Sequence, residues 1–521
     1  MYCAARAEVH FAVWRPGGKA PAPTRAWIRF DAPSTISELR ARYGARYRWL
    51  LLLAVMVGTV AAIMSSTIVN VAVPDMSRHF AIGQERAQWV ASGFMVAMTV
   101  SMLATPWLLG RYGYRRTYAG TMWLLLAGGV AGGLSNDFSL VLAARVAEGL
   151  AAGVVQPIPA IIIMRAFEPH EQGRAMGVFG VGAVLAPALG PSLGGLLVDA
   201  FGWRSIFFVV APFCLAALWL SARFVPSSAP GGGAASRDGA ALDWPSLVLA
   251  SFGTLCLLNG LVQLHGGLTP EAGGLLLAAM VAVVWFVARQ RRLGAAAAGS
   301  RANAPLMNQT LFTDRAFAMG SLVAFTYGMA LFGSTYLLPV YMQLGLQLSP
   351  SYVGTILLPS GLALACTIGL AGRLADRYPT HILVCLGLVL LTASFLLIHA
   401  VNLQTSIWLM IGLTVLSRIG LGFIMPSLNL GSMRALHKDL IPQGASTINF
   451  IRMLGGATGV SLCGIVLEWR LTAHGESLAN KASNAARLAA FNESFMMLAG
   501  LCLLAMIAAW QLRDPTPKNM A

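Results

Sequence analysis

Acidic residues are scarce in this sequence: 20 Asp and Glu stand against 36 Lys and Arg among 521 residues. Charged residues of both signs make up only 11% of the chain, well under the roughly one quarter usual in soluble globular proteins. In their place, 57% of the residues are hydrophobic and the mean hydropathy is +0.69, which excludes a soluble domain. Cysteine offers no framework either. The seven sit at 3, 214, 256, 366, 385, 463 and 502 without CxxC or CxxxC spacing, and all but Cys3 fall in apolar runs. They read as small core residues, with no disulfide scaffold and no metal site. A nucleotide-binding P-loop, an HExxH motif, paired intramembrane aspartates and a Ser/His pair at mid-span depth are all missing. ATP-driven transport by this chain and intramembrane enzymes are thereby disfavoured, and no cofactor is implied. The first 48 residues lack the apolar h-region of about 7–15 residues that a secretory signal requires. Strand-like alternation over short segments is absent as well, which argues against an outer-membrane barrel.

What the chain has is apolar runs of about 20 residues, long enough to cross hydrocarbon as helices. Fourteen spans are expected: 50–73, 88–109, 118–136, 140–164, 175–198, 202–222, 244–264, 272–290, 316–341, 353–371, 380–399, 405–428, 443–467 and 493–512. This predicts an all-α polytopic membrane protein. With the N-terminus on the cytoplasmic side, cytoplasmic segments hold 27 of the 36 Lys and Arg and the opposite side holds 6, while Arg145, Arg418 and Arg452 lie within spans. That asymmetry predicts both termini in the cytoplasm of a bacterial inner membrane. The formal charge of +16 is thus a topology signal facing anionic lipid, and no nucleic-acid partner is needed to explain it.

Composition also divides the chain. A basic N-terminal arm (1–48), disordered to about Pro33, precedes a six-helix bundle over 49–224. A flexible linker (225–243, "VPSSAPGGGAASRDGA" within it) leads to a two-helix hairpin at 244–290. A cytoplasmic linker (291–315), a second six-helix bundle (316–512) and a tail (513–521) complete it. The loops "PWLLGRYGYRR" (106–116) and "GRLADRYPTHI" (372–382) occupy equivalent places in the two halves and share Leu108/Leu374, Arg111/Arg377 and Tyr112/Tyr378. Internal repeats of this kind mark transporters that rock two halves about a central site. A membrane-embedded sensor or scaffold would give no reason for the duplication.

Several stretches resemble one family. "GRLADR" (372–377) is similar to the cytoplasmic loop signature of the major facilitator superfamily, "ARVAEGLAAG" (144–153) to its span-four signature and "GVGAVLAPALGPSLGG" (180–195) to the span-five signature of its antiporters. "STIVNVAVP" (66–74), "GWRSIFF" (202–208) and "LFGSTYLLPVYMQ" (331–343) resemble the fourteen-span drug:proton antiporter branch. The resemblance covers most of 45–512. It implies two pseudo-symmetric six-helix bundles plus an inserted hairpin, 14 transmembrane helices in all. It also implies proton-coupled export of lipophilic or amphipathic compounds by alternating access. A transporter of one defined metabolite or anionic solute is the alternative, and Arg418 and Arg452 are its candidate anchors. Some relatives in double-membrane bacteria work with a periplasmic adaptor and an outer-membrane channel, which leaves such partners open here.

The residues themselves name candidate sites. Arg145 and Glu148 are three apart and share a helix face. Charges inside a span are tolerated mainly beside a wet cavity or in the bundle interior, so the pair is expected to look into a cleft between the halves. A carboxyl at a low-dielectric wall beside an arginine suits a group that takes a proton from one side and loses it to the other. The bland alternative is a static pair that holds span four to its neighbours. The family places Gln where Glu148 stands, whereas Arg145 matches the family position, which implies a part in proton transfer or gating. The branch also has an Asp just before "TIVN", where this chain has Ser65, so Glu148 is a candidate replacement for that carboxylate. For gating, Asp376, Arg377 and Gly372 carry the loop signature. In the first copy Gly110 and Pro106 replace the Asp and the leading Gly, which makes Asp376 the main latch. Gly182, Ala186, Gly190 and Gly194 form a small-residue stripe in span five, beside Pro191. The family reading bends this stripe against the second half and seals the cytoplasmic exit. Asn70, Gln156, Tyr336 and Asn449 are candidate cavity residues, or else helix–helix hydrogen bonds. Trp89 and Tyr341 fall near span ends, where interfacial anchoring is expected.

Overall fold

In hydrocarbon each backbone polar group must be satisfied within its own segment, so long apolar runs become helices. The computed structural model describes residues 36–227, 241–264, 267, 269–297, 305–402, 404–477 and 484–512. The arm expected to be disordered up to Pro33, residues 228–240 and 298–304 of the two linkers, and the tail from 513 lie outside the described residues. In the first half, α1 (Ile36–Tyr43) and a 3₁₀ turn lead into α2 (Tyr47–His79). Then come α3 (Gln84–Ser101), a 3₁₀ turn at 102–104, α4 (Thr105–Tyr112), α5 (Tyr114–Leu134), α6 (Phe138–Val155) and α7 (Ile158–Ala166). The half closes with α8 (Gln172–Phe201), α9 (Ser205–Phe208) and α10 (Val210–Phe224). The hairpin is α11 (Trp244–Gln263) and α12 (Pro270–Ala297). The second half holds α13 (Arg315–Val340), α14 (Pro350–Leu374), α15 (Thr380–His399), α16 (Ile407–Met433), α17 (Ile441–Ala473) and α18 (Ala485–Ala509).

Local chemistry sets many of these boundaries. Asp137, Asp314, Ser349 and Asn484 cap α6, α13, α14 and α18 by accepting backbone N–H bonds. The span expected at 140–164 is two helices rather than one. Pro157 has no N–H to donate, so α6 stops at Val155 and α7 restarts at Ile158. The hairpin's second helix runs past its expected end at 290, to Ala297.

Among the described residues, twelve helical segments are long and apolar enough to cross a membrane, fewer than the fourteen expected. The two absent are α5 and α8. Glycines at 120, 128, 129, 132 and 133 lower the hydropathy of α5. In α8 the side chains at 188, 189, 191 and 192 are outside the described set.

Helix neighbours repeat between the halves. In the first, α2 packs on α8 and α10, α3 on α6, and α5 on α6 and α10. In the second, α13 packs on α17 and α18, α14 on α16, and α15 on α16 and α18. The halves meet through α8 against α14 and through α17 against α3, α4 and the turn at 102–104. These two contacts are counterparts under the repeat.

The hairpin rests on both halves, with α11 against α3 and α17. Its base is polar: Arg289 Nη2 donates to Asp243 Oδ1 at 2.8 Å, and Gln290 Nε2 donates to Ser246 Oγ at 2.7 Å. Gln290 Oε1 in turn accepts from Met307 N at 3.1 Å, which ties the hairpin to the linker that follows.

Candidate functional site

Span four carries two ionisable side chains into the first half, and glycines on α5 make room for one of them. A Cβ at Gly128 would lie 2.7 Å from Glu148 Cγ, and one at Gly129 would lie 3.3 Å from Glu148 Oε1. Arg145 and Glu148 are each 1% exposed. The pair therefore does not look into an open cleft, as the sequence suggested, because α2, α3 and α5 close around it.

Arg145 is fully engaged. Its Nη1 donates to Glu148 Oε2 and, at 2.9 Å, to Ser65 Oγ. Nη2 donates to Ser65 O at 3.2 Å and Nε to Val90 O at 3.3 Å. The guanidinium also lies 4.2 Å from the centroid of the Phe94 ring. Ser65 completes the cluster by donating its hydroxyl to Glu148 Oε2 at 3.2 Å. The residue at the position of the branch's missing Asp thus touches the extra Glu on span four. Among the described residues Glu148 Oε1 is buried with no hydrogen-bond partner, and an ionised carboxylate oxygen left this way is costly.

The loop signature forms a second cluster. Asp376 accepts from Gly173 N at 2.6 Å and from Arg174 N at 2.8 Å. These are orphan donors in the first turn of α8, in the opposite half, where Glu171 supplies no side-chain cap. The carboxylate thus caps a helix across the interface instead of the helix that follows it, and its charge complements the helix dipole. Burial lifts the Asp376 carboxyl above the usual carboxylate range, against the pull of both amides, Arg434 and His170. Two glycines allow this approach: a Cβ at Gly372 would lie 2.5 Å from Gly173 O. Arg377 is exposed and takes no part in the contact. Nearby, Arg165 Nη2 donates to Lys438 O at 2.7 Å, and Arg434 Nη2 donates to Ala375 O at 3.2 Å and Pro169 O at 3.5 Å. The helix ends on this side, where the chain enters α2, are held shut.

The remaining candidates scatter. The stripe on α8 does not face the second half: Gly190 packs on Thr67, and a Cβ at Gly194 would lie 2.8 Å from Ile68 Cγ1, both on α2. Gly173, Gly177 and Gly180 meet α14 instead, through Ile368, Gly369 and Gly372. Pro191 falls inside α8, which continues through it. Asn70 is exposed and lines a cleft of about 430 Å³ with Val73, Pro74, Gln88, Ala91 and Ser92, at the end opposite the Asp376 contact. Gln156 sits at the helix break with Nε2 3.8 Å from Met98 Sδ, and Tyr336 is half-buried on α13. Among the described residues Asn449 makes no helix–helix bond, since its partners, Ala445 O at 2.8 Å and Arg452 Nη2 at 2.6 Å, are both on α17. Tyr341 is no interfacial anchor: it is 0% exposed and packs edge-on against Phe491 and Phe495. Trp89 is 44% exposed.

Two helical halves with repeated packing and a capped contact between them describe a transporter. The model of the family described as the Major Facilitator Superfamily matches residues 55–267 and 271–460. This chain belongs to that superfamily. It is a multi-pass transporter of the bacterial plasma membrane. The transporter is 29% identical over 432 residues to the multidrug resistance protein B homolog of Mycobacterium tuberculosis, covering 81% of this chain and 76% of that one. To the lincomycin resistance protein LmrB of Bacillus subtilis it is 25% identical over 432 residues, 82% and 87% of the two lengths. Among solved structures, the human organic anion transporter MFSD10 (TETRAN) aligns with a TM-score of 0.62, covering 89% of this chain and 99% of that one. At 17% identity this likeness speaks for the fold alone.

Sequence reasoning missed the partners that complete both clusters. Val90 O and Phe94 leave no local mark. The spacing of Gly173, Gly177 and Gly180 permits close approach by another helix, but it does not say which one.

Proposed function

We propose that this transporter is a proton-coupled multidrug exporter of the fourteen-span drug:proton antiporter branch, with α5 and α8 completing the set of spans. The drug-resistance names of relatives matching four fifths of the chain support export of lipophilic or amphipathic compounds. The excess of Lys and Arg at the end bearing the Asp376 contact supports placing that end, and both termini, in the cytoplasm. The closed end is then the cytoplasmic one, and the cleft at Asn70 opens outward.

The observation that carries proton coupling is the Ser65–Arg145–Glu148 cluster with its one unpartnered oxygen. Protonation of Glu148 cancels its attraction to Arg145 and weakens the bond it accepts from Ser65, which leaves Arg145 alone to hold span four to α2. Deprotonation restores both bonds. In alternating access the proton enters in one conformation and leaves in the other, so the enclosed cluster is the occluded stage of that cycle. Asp376 bound to the start of α8 is the cytoplasmic latch.

The test is uptake of ethidium into everted vesicles, whose outer face is the cytoplasmic one, under an imposed pH gradient. Export that collapses on adding a protonophore, and that is lost in Glu148→Gln at normal expression, is the expected result. Normal gradient-driven export by that variant refutes the role of Glu148. Indifference of the wild type to the protonophore refutes proton coupling. A transporter of one defined metabolite would reject chemically unrelated dyes altogether.

A further inference from the structure

Arg145 is answered by a carboxylate, but Arg418 and Arg452, the two other arginines inside the spans expected from the sequence, are not. Arg418 lies near the middle of α16 and is 8% exposed. Among the described residues it has no hydrogen bond and no acidic partner. Arg452 lies at a similar depth on α17 and donates only to Asn449 Oδ1, at 2.6 Å. Asn449 is neutral and tied back to Ala445 O, so it orients the guanidinium without compensating its charge. On α13, which packs on both α16 and α17, Tyr327 is 2% exposed and within electrostatic range of both arginines. Its neutral hydroxyl can donate to an anion.

Helices α13, α16 and α17 pack on one another, and α16 and α17 also face the first half through α8 and through α3, α4 and α7. The uncompensated charges are therefore on the inward side of the second bundle, away from lipid. Two guanidinium groups held here without a counter-charge are expensive, and a planar anion is the ligand they fit best.

We propose that Arg418 and Arg452, together with Tyr327, bind the carboxylate of amphipathic organic anions, so that this exporter prefers lipophilic acids to their neutral or cationic analogues. This assigns a substrate class and rests on the export reading above.

The test uses the purified full-length transporter in nanodiscs and a matched pair of probes, a rhodamine with a free carboxylate and its ethyl ester, followed by fluorescence anisotropy. The wild type is expected to bind the acid about tenfold more tightly than the ester, the effect of one charge-assisted hydrogen bond. Arg418→Gln and Arg452→Gln erase that preference while leaving ester binding unchanged, and Arg418→Lys keeps part of it. Retained ester binding shows that the variants are folded. No preference in the wild type, equal weakening of both probes in the variants, or loss of the preference when chloride replaces gluconate each overturns the proposal; the last assigns the site to a halide. Gradient-driven export is read separately in vesicles. A carboxylate preference without export refutes the export reading alone, and export of the ester without any preference refutes the anion site alone.

Discussion

Removing the Asp376 carboxylate should unlatch the cytoplasmic end by an amount the geometry sets. Its two oxygens receive the Gly173 and Arg174 amides at 2.6 and 2.8 Å. A hydrogen bond to an ionised acceptor contributes about 1.5–3 kcal/mol, and an anion at a helix N-terminus adds about 0.3–1 kcal/mol. Asp376 is half-buried, and water takes over both amides and the carboxylate once the contact opens. The net contribution is nearer ~2 kcal/mol, since solvent screens such a partly exposed charge. Losing it changes the closed-to-open ratio by roughly thirtyfold. Spin labels at His170 and Tyr378, both exposed and on opposite sides of the contact, would report this by pulsed electron resonance in a background lacking reactive cysteine. Asp376→Ala should convert a mainly short distance distribution into one with a large long-distance component. Asp376→Asn, which keeps one acceptor oxygen, should fall between. An unchanged distribution in Asp376→Ala would show that the glycine contacts and Arg165 hold the end shut without the carboxylate. Gly110→Asp should move the balance the other way. It supplies the missing acid in the first copy of the loop, at a position where a Cβ meets nothing within 4 Å.

Three further outcomes are expected. If Glu148 stands in for the Asp that the branch carries before "TIVN", the double variant Ser65→Asp/Glu148→Gln should recover gradient-driven ethidium export that Glu148→Gln alone loses; recovery no greater than background would separate the two positions. Gly153→Ala should cost about 1–3 kcal/mol by overpacking, because its Cβ collides with Met98 O and Ser101 Oγ. Gly120→Ala, with open space around it, should leave the melting temperature unchanged, and equal melting of the two would contradict the packing of α6 on α3. The hairpin base should loosen in acid. Burial pushes the Asp243 carboxyl up, but hydrogen bonds from Arg289 and Ser246 overcome it and hold it below the usual value. A lowered carboxyl pKa adds stability that is fully present above the ordinary Asp value of about 4 and is lost as pH falls through the lowered one. Asp243→Asn should abolish that part of the acid sensitivity of thermal unfolding.

The legible parts of this transporter were local ones. Apolar runs dictate helices whatever surrounds them, and the spacing of Arg145 and Glu148 puts them on one face of any helix that contains both. Lys and Arg counts speak to orientation because the membrane reads them segment by segment. The loop at 372–377 announced itself through a short motif. Pro157 stands in plain view as well, yet windowed hydropathy does not register one missing N–H, so the break between α6 and α7 leaves no trace in it.

What decided the sites was contact between distant segments. Ser65 and Glu148 are 83 residues apart, and Asp376 and Gly173 are 203 apart; nothing in either stretch names the other. The stripe at Gly190 and Gly194 has the spacing for close approach in any direction, and only packing chose α2 over the second half. Tyr341, near a span end, has the chemistry of an interfacial residue, but Phe491 and Phe495 arrive over it and remove it from the interface. By itself the sequence determined that these helices form, which charges they carry and that the halves repeat, because each of those follows from short-range chemistry. Only the tertiary structure decided that the acidic pair is enclosed, that one latch spans the interface and that two arginines are left without an acid. Those depend on which helix faces meet, and that is settled by all the faces competing at once.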